Sequence, residues 1–477
     1  MARIVRSPRL FIAFIAALCL AATTSSDLHS ATRRRPVSPS PIPEIDSFRS
    51  LMITDAPALE GFTLQRVMES LVARSETSTT ALELYRQMFD TQNPRPGFTG
   101  SGIHCDDETT EGTFTRNGFP IHCPSPEGVL ADTDPFESQS SESYLPIAVV
   151  NRFDLSPPDG ENCGQYRVIF AKRSGIGNAS DRIHLIFEAV LPNPFPQLGL
   201  NGCRPIALFW ADLSTISSVR ERASRMEMFF FDGFGGFPPV LDPAHLGAEG
   251  GSIRTSQFMT RGAFAGRSPR FYQFELDRRC DDSGCRLIAE PAPLENMPYG
   301  SFFNGEKTSA QATAFREFFL TQVRSLAVRD VNLYSMEIPE SYNVTESDGE
   351  SEPVFIYDGQ FNKGLGTPEG QAFAAGVQAE LDSIGSKVLP VEIMARADTL
   401  TCAGCHQIDG EIGEGVVFPR SLGFEHVTED PRHMQTGEDG ELSRFGISPA
   451  LRDVFIPHRK RILEDFLLSG KPPVHSQ

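Results

Sequence analysis

Thr401-Cys402-Ala403-Gly404-Cys405-His406-Gln407 is the stretch in which residue types and spacing spell out a chemistry. Two thiols three positions apart, with an imidazole directly after the second, match the Cys-x-x-Cys-His pattern of covalent haem attachment. Each thiol can add across one vinyl group of a single porphyrin, and the histidine then offers a nitrogen to the iron as proximal ligand. Other chemistries use parts of the same pattern. A Cys-x-x-Cys pair opens many zinc knuckles, but no second pair follows, so zinc would have to recruit histidines such as His426 and His433. A redox dithiol wants the pair opening a helix inside a strand-helix-strand unit, and no such unit is legible around Cys402. A structural disulfide is the remaining reading.

The second iron ligand would separate an electron carrier from an open-site haem protein. His426, His433, Met434 and His458 follow His406 closely enough that loop closure excludes none of them. His426, between Phe424 and Val427, has the apolar setting of a pocket wall and ranks first. Met434, the only methionine after the motif, ranks second, although it and His433 sit in a polar stretch that reads as facing water. His458 ranks third, because Arg459, Lys460 and Arg461 beside it could instead pair with haem propionates. If none of them binds, the iron is five-coordinate.

Covalent haem attachment needs export, and the first residues supply an export signal. Arg3, Arg6 and Arg9 precede an apolar run from Leu10 to Ala22, after which Thr23 to Ser26 are small and polar. Residues 1–22 therefore read as a signal peptide, whose apolar run of 13 residues is too short to span a bilayer core of about 30 Å. Residues 23–45, rich in Ser, Thr, Pro and Arg, read as a disordered leader. No later stretch is long and apolar enough to span a membrane, so the expected product is a soluble periplasmic or extracellular protein. Removing Arg3, Arg6 and Arg9 takes the formal charge from −19 to −22. Such an acidic surface argues against nucleic acid and favours a basic partner, here a redox protein.

Cysteine usage fits an oxidising compartment. Beyond Cys19, Cys402 and Cys405, six remain, and nearness in sequence pairs Cys105 with Cys123, Cys163 with Cys203 and Cys280 with Cys285. The last pair flanks Asp281-Asp282-Ser283-Gly284, which is turn chemistry between two strand-like runs.

The remaining elements form a scaffold. Leu64, Val67, Met68, Leu71 and Val72, then Ala81, Leu84, Tyr85, Met88 and Phe89, recur at helical spacing. Residues 91–145 read as irregular, with His104 and His122 incidental to a disulfide. Alternation in Tyr166–Phe170, Ile183–Phe187 and Tyr272–Leu276 reads as antiparallel strands, with His184 on the less apolar face as a solvated or hydrogen-bonded residue. A helix is expected over Ser214–Met228, aromatic packing around tight turns at Phe229–Phe237, and a helix carrying Phe315, Phe318, Phe319, Val323 and Leu326 over the sheet. Residues 341–353 are acidic and read as a linker. Beyond it lie helices near Pro368–Leu381, Val391–Ala397 and Pro457–Leu468.

The motif with its preceding short helix and a C-terminal helix resembles a small c-type cytochrome domain, closely over Cys402–His406 and loosely over about 367–477. The resemblance implies one covalent haem c with its iron, Cys402 and Cys405 as thioether anchors, His406 as proximal ligand, and His426 or Met434 as distal ligand. Upstream, Val149-Val150-Asn151-Arg152-Phe153-Asp154 resembles a segment of exported bacterial proteins of unknown function that also end in one Cys-x-x-Cys-His. That similarity carries no activity, and no Gly-x-Ser-x-Gly elbow, His-Glu-x-x-His helix or Walker loop appears. Catalytic residues are accordingly unassigned.

The fold class expected is α+β: N-terminal helices and a mostly antiparallel β domain over 46–340, then a smaller helical, cytochrome c-like region over 354–477. The function expected is electron transfer by a mono-haem protein. The alternatives are a haem enzyme or gas-binding protein with an open iron site, and a non-haem binding protein with a structural Cys-x-x-Cys or zinc site.

Overall fold

Strand propensity and alternation in the middle of the chain build one antiparallel sheet. In the computed structural model, which describes residues 42–98, 102–247, 250–257, 269–348 and 356–470, its strands are Met52–Ile53, Tyr144–Arg152, Asn162–Lys172, Ile183–Pro192, Ser252–Gln257, Arg270–Asp281 and Gly284–Ala292, in that spatial order. The chain is of the α+β class. The export signal and the leader up to Pro41 lie outside the described residues.

Register divides the sheet into two unlike faces. Tyr166, Val168, Phe170, Leu185, Phe187 and Phe274 lie on one face and are fully buried. Tyr166 stacks on Trp210 at 5.7 Å and meets Phe229 edge-on at 5.1 Å, so the aromatic run after the central helices forms the core beneath the sheet. The opposite face is polar. Arg167 stands opposite Glu188, with Arg152 and Arg254 on the same side of neighbouring strands. A sheet with one apolar and one polar face needs a polar cover if the second face is also to be enclosed. The C-terminal third is that cover, and its motif helix Cys402–Gln407 lies against the Arg270–Asp281 strand.

Local chemistry explains most boundaries. Thr63 caps helix Leu64–Ser75, and Thr80 with Glu83 forms a capping box on Ala81–Asp90. Hairpin strands Arg270–Asp281 and Gly284–Ala292 turn through Asp282-Ser283, with Gly284 at φ +126°. All three expected cysteine pairs sit at bonding distance, which places the chain in an oxidising compartment. Among the described residues no helix is long and apolar enough to cross a membrane.

Four expectations need correction. The helix expected over Ser214–Met228 begins only at Val219, where Ser218 caps it, and runs to Glu227, while a separate helix opened by Pro205, Arg204–Leu213, precedes it and was not expected. The phenylalanine-rich helix Ala310–Phe319 does not cover the sheet; Phe315 and Phe319 pack on Phe303, and Phe319 on Phe373, in a second apolar cluster. The acidic stretch 341–353 is not a linker where it is described. Glu346–Asp348 pairs antiparallel with Arg270–Tyr272, and the buried Glu346 carboxylate meets Arg270 at 3.1 Å and His122 at 2.5 Å. Finally, residues 46–340 and 354–477 are not separate bodies. From Ile42 onward the chain forms one unit, and Val427, Ile447, Leu463 and Phe466 share the sheet's core.

Candidate haem-attachment site

The motif helix begins at a tight turn that leaves room only for glycine at its third position. Thr401 Oγ1 accepts from Gly404 N at 2.9 Å and donates to the Asp398 carbonyl at 2.8 Å. A Cβ on Gly404 would lie 1.8 Å from that same carbonyl oxygen. Cys402 and Cys405 are therefore presented one helical turn apart, both as free thiols, whereas the other described cysteines are all paired.

The loop Ser421–His426 wraps the histidine of the motif. His406 donates from Nδ1 to the Phe424 carbonyl at 2.9 Å, which leaves the Nε2 lone pair for a ligand. Ser421 Oγ donates to the His406 carbonyl at 2.5 Å and accepts from Phe424 N at 3.1 Å. Phe424 adopts φ +83°, a costly conformation for a phenylalanine, held by these bonds and by stacking on Phe271 at 5.6 Å. Phe271 also packs on the His406 ring at 5.0 Å.

His426 closes the other side. Its ring lies 4.5 Å from that of His406, its Nδ1 shares a 2.8 Å hydrogen bond with Ser448 Oγ, and its Nε2 stands 3.4 Å from Cys405 Sγ. Of the candidate distal ligands, this is the one the fold brings to the motif. Met434 packs against the main core, His433 is exposed in the turn Pro431–His433, and His458 is half-buried near Asp330.

Burial sets the protonation states. It pulls the His406 imidazole down to about 4, and burial with the neighbouring His406 holds His426 well below its ordinary value. Both rings are neutral at pH 7, as ligation requires. Burial also pushes Cys405 up to about 11 and raises Cys402, so neither thiol is prepared as a thiolate nucleophile.

The groups do not converge as zinc demands. Tetrahedral zinc gathers its ligands within about 4 Å of one another. Among the described residues, His184, Glu425 and Glu429 are the one grouping of three or more potentially ligating side chains, with ligand atoms within 4.8 Å of one another. Arg182 already serves that grouping as cation, pairing with Glu425 and, at 2.6 Å, with Glu429, while His184 meets Glu429 at 3.3 Å. His184 is thus buried and hydrogen-bonded on the polar face, not solvated.

Sequence reasoning missed the floor of the site. Arg152, Arg167 and Arg459 act electrostatically on Cys405, and Arg254 on Cys402, with Asp154 and Glu188 between them. The available signal was the Val149–Asp154 segment, whose Arg152 and Asp154 the fold sets beside the motif.

No protein-family model, no curated protein and no solved structure matches this chain.

Proposed function

We propose that the chain is an exported mono-haem c-type protein that carries electrons for a basic redox partner. The observation that carries this reading is the unpaired dithiol on one helical turn beside a neutral histidine whose Nδ1 is already engaged. The donor set suits haem c, which takes its thiols at the porphyrin rim and only the imidazole at iron, and does not suit a metal that gathers all four groups. When bound, the group would supply one-electron chemistry.

The chain's own residues have separable tasks. Cys402 and Cys405 would anchor the group, and His406 would present Nε2, oriented by Phe424 O. His426, oriented by Ser448, would offer the second nitrogen. The two rings touch, so entry of a group between them has to move the loop that carries His426. Phe271 and Phe424 pack on the His406 ring.

The test is expression in a periplasm with haem-attachment machinery, followed by a denaturing gel stained for haem and a visible spectrum in both redox states. The expected result is a stained band that Cys402→Ala, Cys405→Ala and His406→Ala each remove or weaken. An unstained wild-type band, beside a stained control cytochrome, ends the proposal. If His426 is the second ligand, His426→Ala turns a low-spin spectrum high-spin. A wild-type spectrum in that variant, lost instead in Met434→Ala, moves the assignment to Met434.

A further inference from the structure

The polar face beneath the motif holds more positive charge than its own carboxylates neutralise. Arg152 grips Asp154 with contacts of 2.8 to 3.1 Å, and Arg167 meets Glu188 at 2.8 Å. Arg254 reaches the other oxygen of Glu188 at 3.1 Å, so this one carboxylate serves two guanidiniums. Arg459, from the C-terminal helix Ile456–Ser469, has only a 3.9 Å contact to Asp154.

The four guanidiniums come from three strands and a helix, and Arg167 and Arg459 feel other members of the group as like charges. Side-chain exposure is 12 to 24% for the arginines, 9% for Asp154 and 1% for Glu188. Among these enclosed groups four cations face two anions. Glu295, 3.4 Å from Arg254, stands at the rim with 62% exposure and screens poorly. Burial and the neighbouring Arg152 pull Arg459 down to about 9, and burial brings Arg167 to about 10, whereas Asp154 and Glu188 outweigh burial and hold Arg152 and Arg254 up, so the excess charge falls on Arg167 and Arg459. Taking like charges out of water into one cleft is unfavourable unless an opposite charge shares it.

We propose that Arg152, Arg167, Arg254 and Arg459 form a binding site for two anionic charges carried on planar carboxylates or comparable oxyanions. The guanidinium fork matches such groups bidentately, and the partial exposure of all four leaves a way in. The site adjoins Cys402 and Cys405. Its occupant is either the pair of propionates of a haem held there, which rests on the function proposed above, or a small dicarboxylate or oxyanion from solution.

Calorimetric titration of oxalate at low ionic strength separates the sources. The full-length protein is used in two forms, produced with and without haem-attachment machinery. Binding by the haem-free form that disappears on haem loading assigns the arginines to propionates. Binding that persists in the loaded form assigns them to a ligand from solution. In both cases Arg459→Gln weakens oxalate by about tenfold or more, Arg459→Lys restores most of it, and raising salt weakens it further. Arg254→Gln serves as a second variant, with circular dichroism confirming the fold of each. No binding by either form, or binding that Arg459→Gln and Arg254→Gln leave unchanged, overturns the inference. Because the haem-free arm needs no cofactor, failure of haem staining leaves it readable.

Discussion

Replacing Arg182 by methionine keeps the aliphatic stem and removes the one cation that joins Glu425 and Glu429. Glu429 has no side-chain exposure and, despite burial, is held at about 2 by His184 and Arg182 rather than at its usual 4.5. A depression of that size corresponds to about 3 kcal/mol of folded-state stabilisation, shared between the two partners. Glu425 is already raised by burial and would lose Arg182 as well, so an uncompensated carboxylate pair remains inside. The expected loss is about 3 kcal/mol at pH 7, at the lower end of the cost of breaking a buried ion pair. A depressed carboxylate stabilises above its unfolded value and loses that contribution as pH falls through its folded value. The deficit of the variant should therefore be full above about pH 5 and shrink between about 4.5 and 2. Urea unfolding followed by circular dichroism at several pH values measures it. A deficit below about 0.5 kcal/mol at pH 7, or one that stays level from pH 6 to pH 3, would refute the reasoning.

Gly404→Ala drives a methyl group into the Asp398 carbonyl and should cost about 3 kcal/mol, whereas Gly366→Ala, with open space around it, should stay within about 0.5 kcal/mol; thermal denaturation compares them. Removing the Cys163–Cys203 bridge, which spans 40 positions, should cost about 4 kcal/mol, against about 2 kcal/mol for Cys280–Cys285, which spans 5; equal losses in urea would contradict the loop-closure account. Electron transfer from a basic donor protein should slow steeply between 0.1 and 1 M salt, as the Debye length falls from about 10 to 3 Å; a flat stopped-flow rate would mean that the acidic surface does no steering.

What was legible in the sequence was what local pattern can carry. Tyr166–Phe170 and Ile183–Phe187 alternate, save for Ile169 and Ile186, because one face is core, and the structure pairs them antiparallel in the expected sense. Pro457 in the last helix speaks within one turn. Cys280 and Cys285 pair because a two-residue turn brings them together. Glu346 was misread for a physical reason: an acidic run looks solvated unless one knows that Arg270 and His122 arrive from elsewhere to neutralise it. For His184 the hydrogen-bonded alternative holds, but its burial and its partner were not legible, since Glu429 lies 245 positions away. The arginine floor could not be seen because its members belong to separate strands and become neighbours only through register.

The two-faced sheet explains why the C-terminal third is not an independent body. A free-standing helical region would have to bury its own apolar residues, yet Phe466 packs on Phe153 at 4.8 Å and Leu463 is fully enclosed in the sheet's core. The same helix sends Arg459 toward Asp154 on the polar face. One element thus completes the apolar core and the charged floor together, so the electrostatics around Cys402 and Cys405 depend on strands roughly 150 to 250 positions upstream. Cys402 and Cys405 sit in the region 398–426, but charges acting on them come from Arg152, Arg167, Glu188 and Arg254. A buried positive charge favours any redox or ligand state with an added electron or anion, as Coulomb's law requires at low effective dielectric. In this molecule the Cys-x-x-Cys-His motif and the field acting on it are therefore written in different parts of the chain, and the antiparallel register is what joins them.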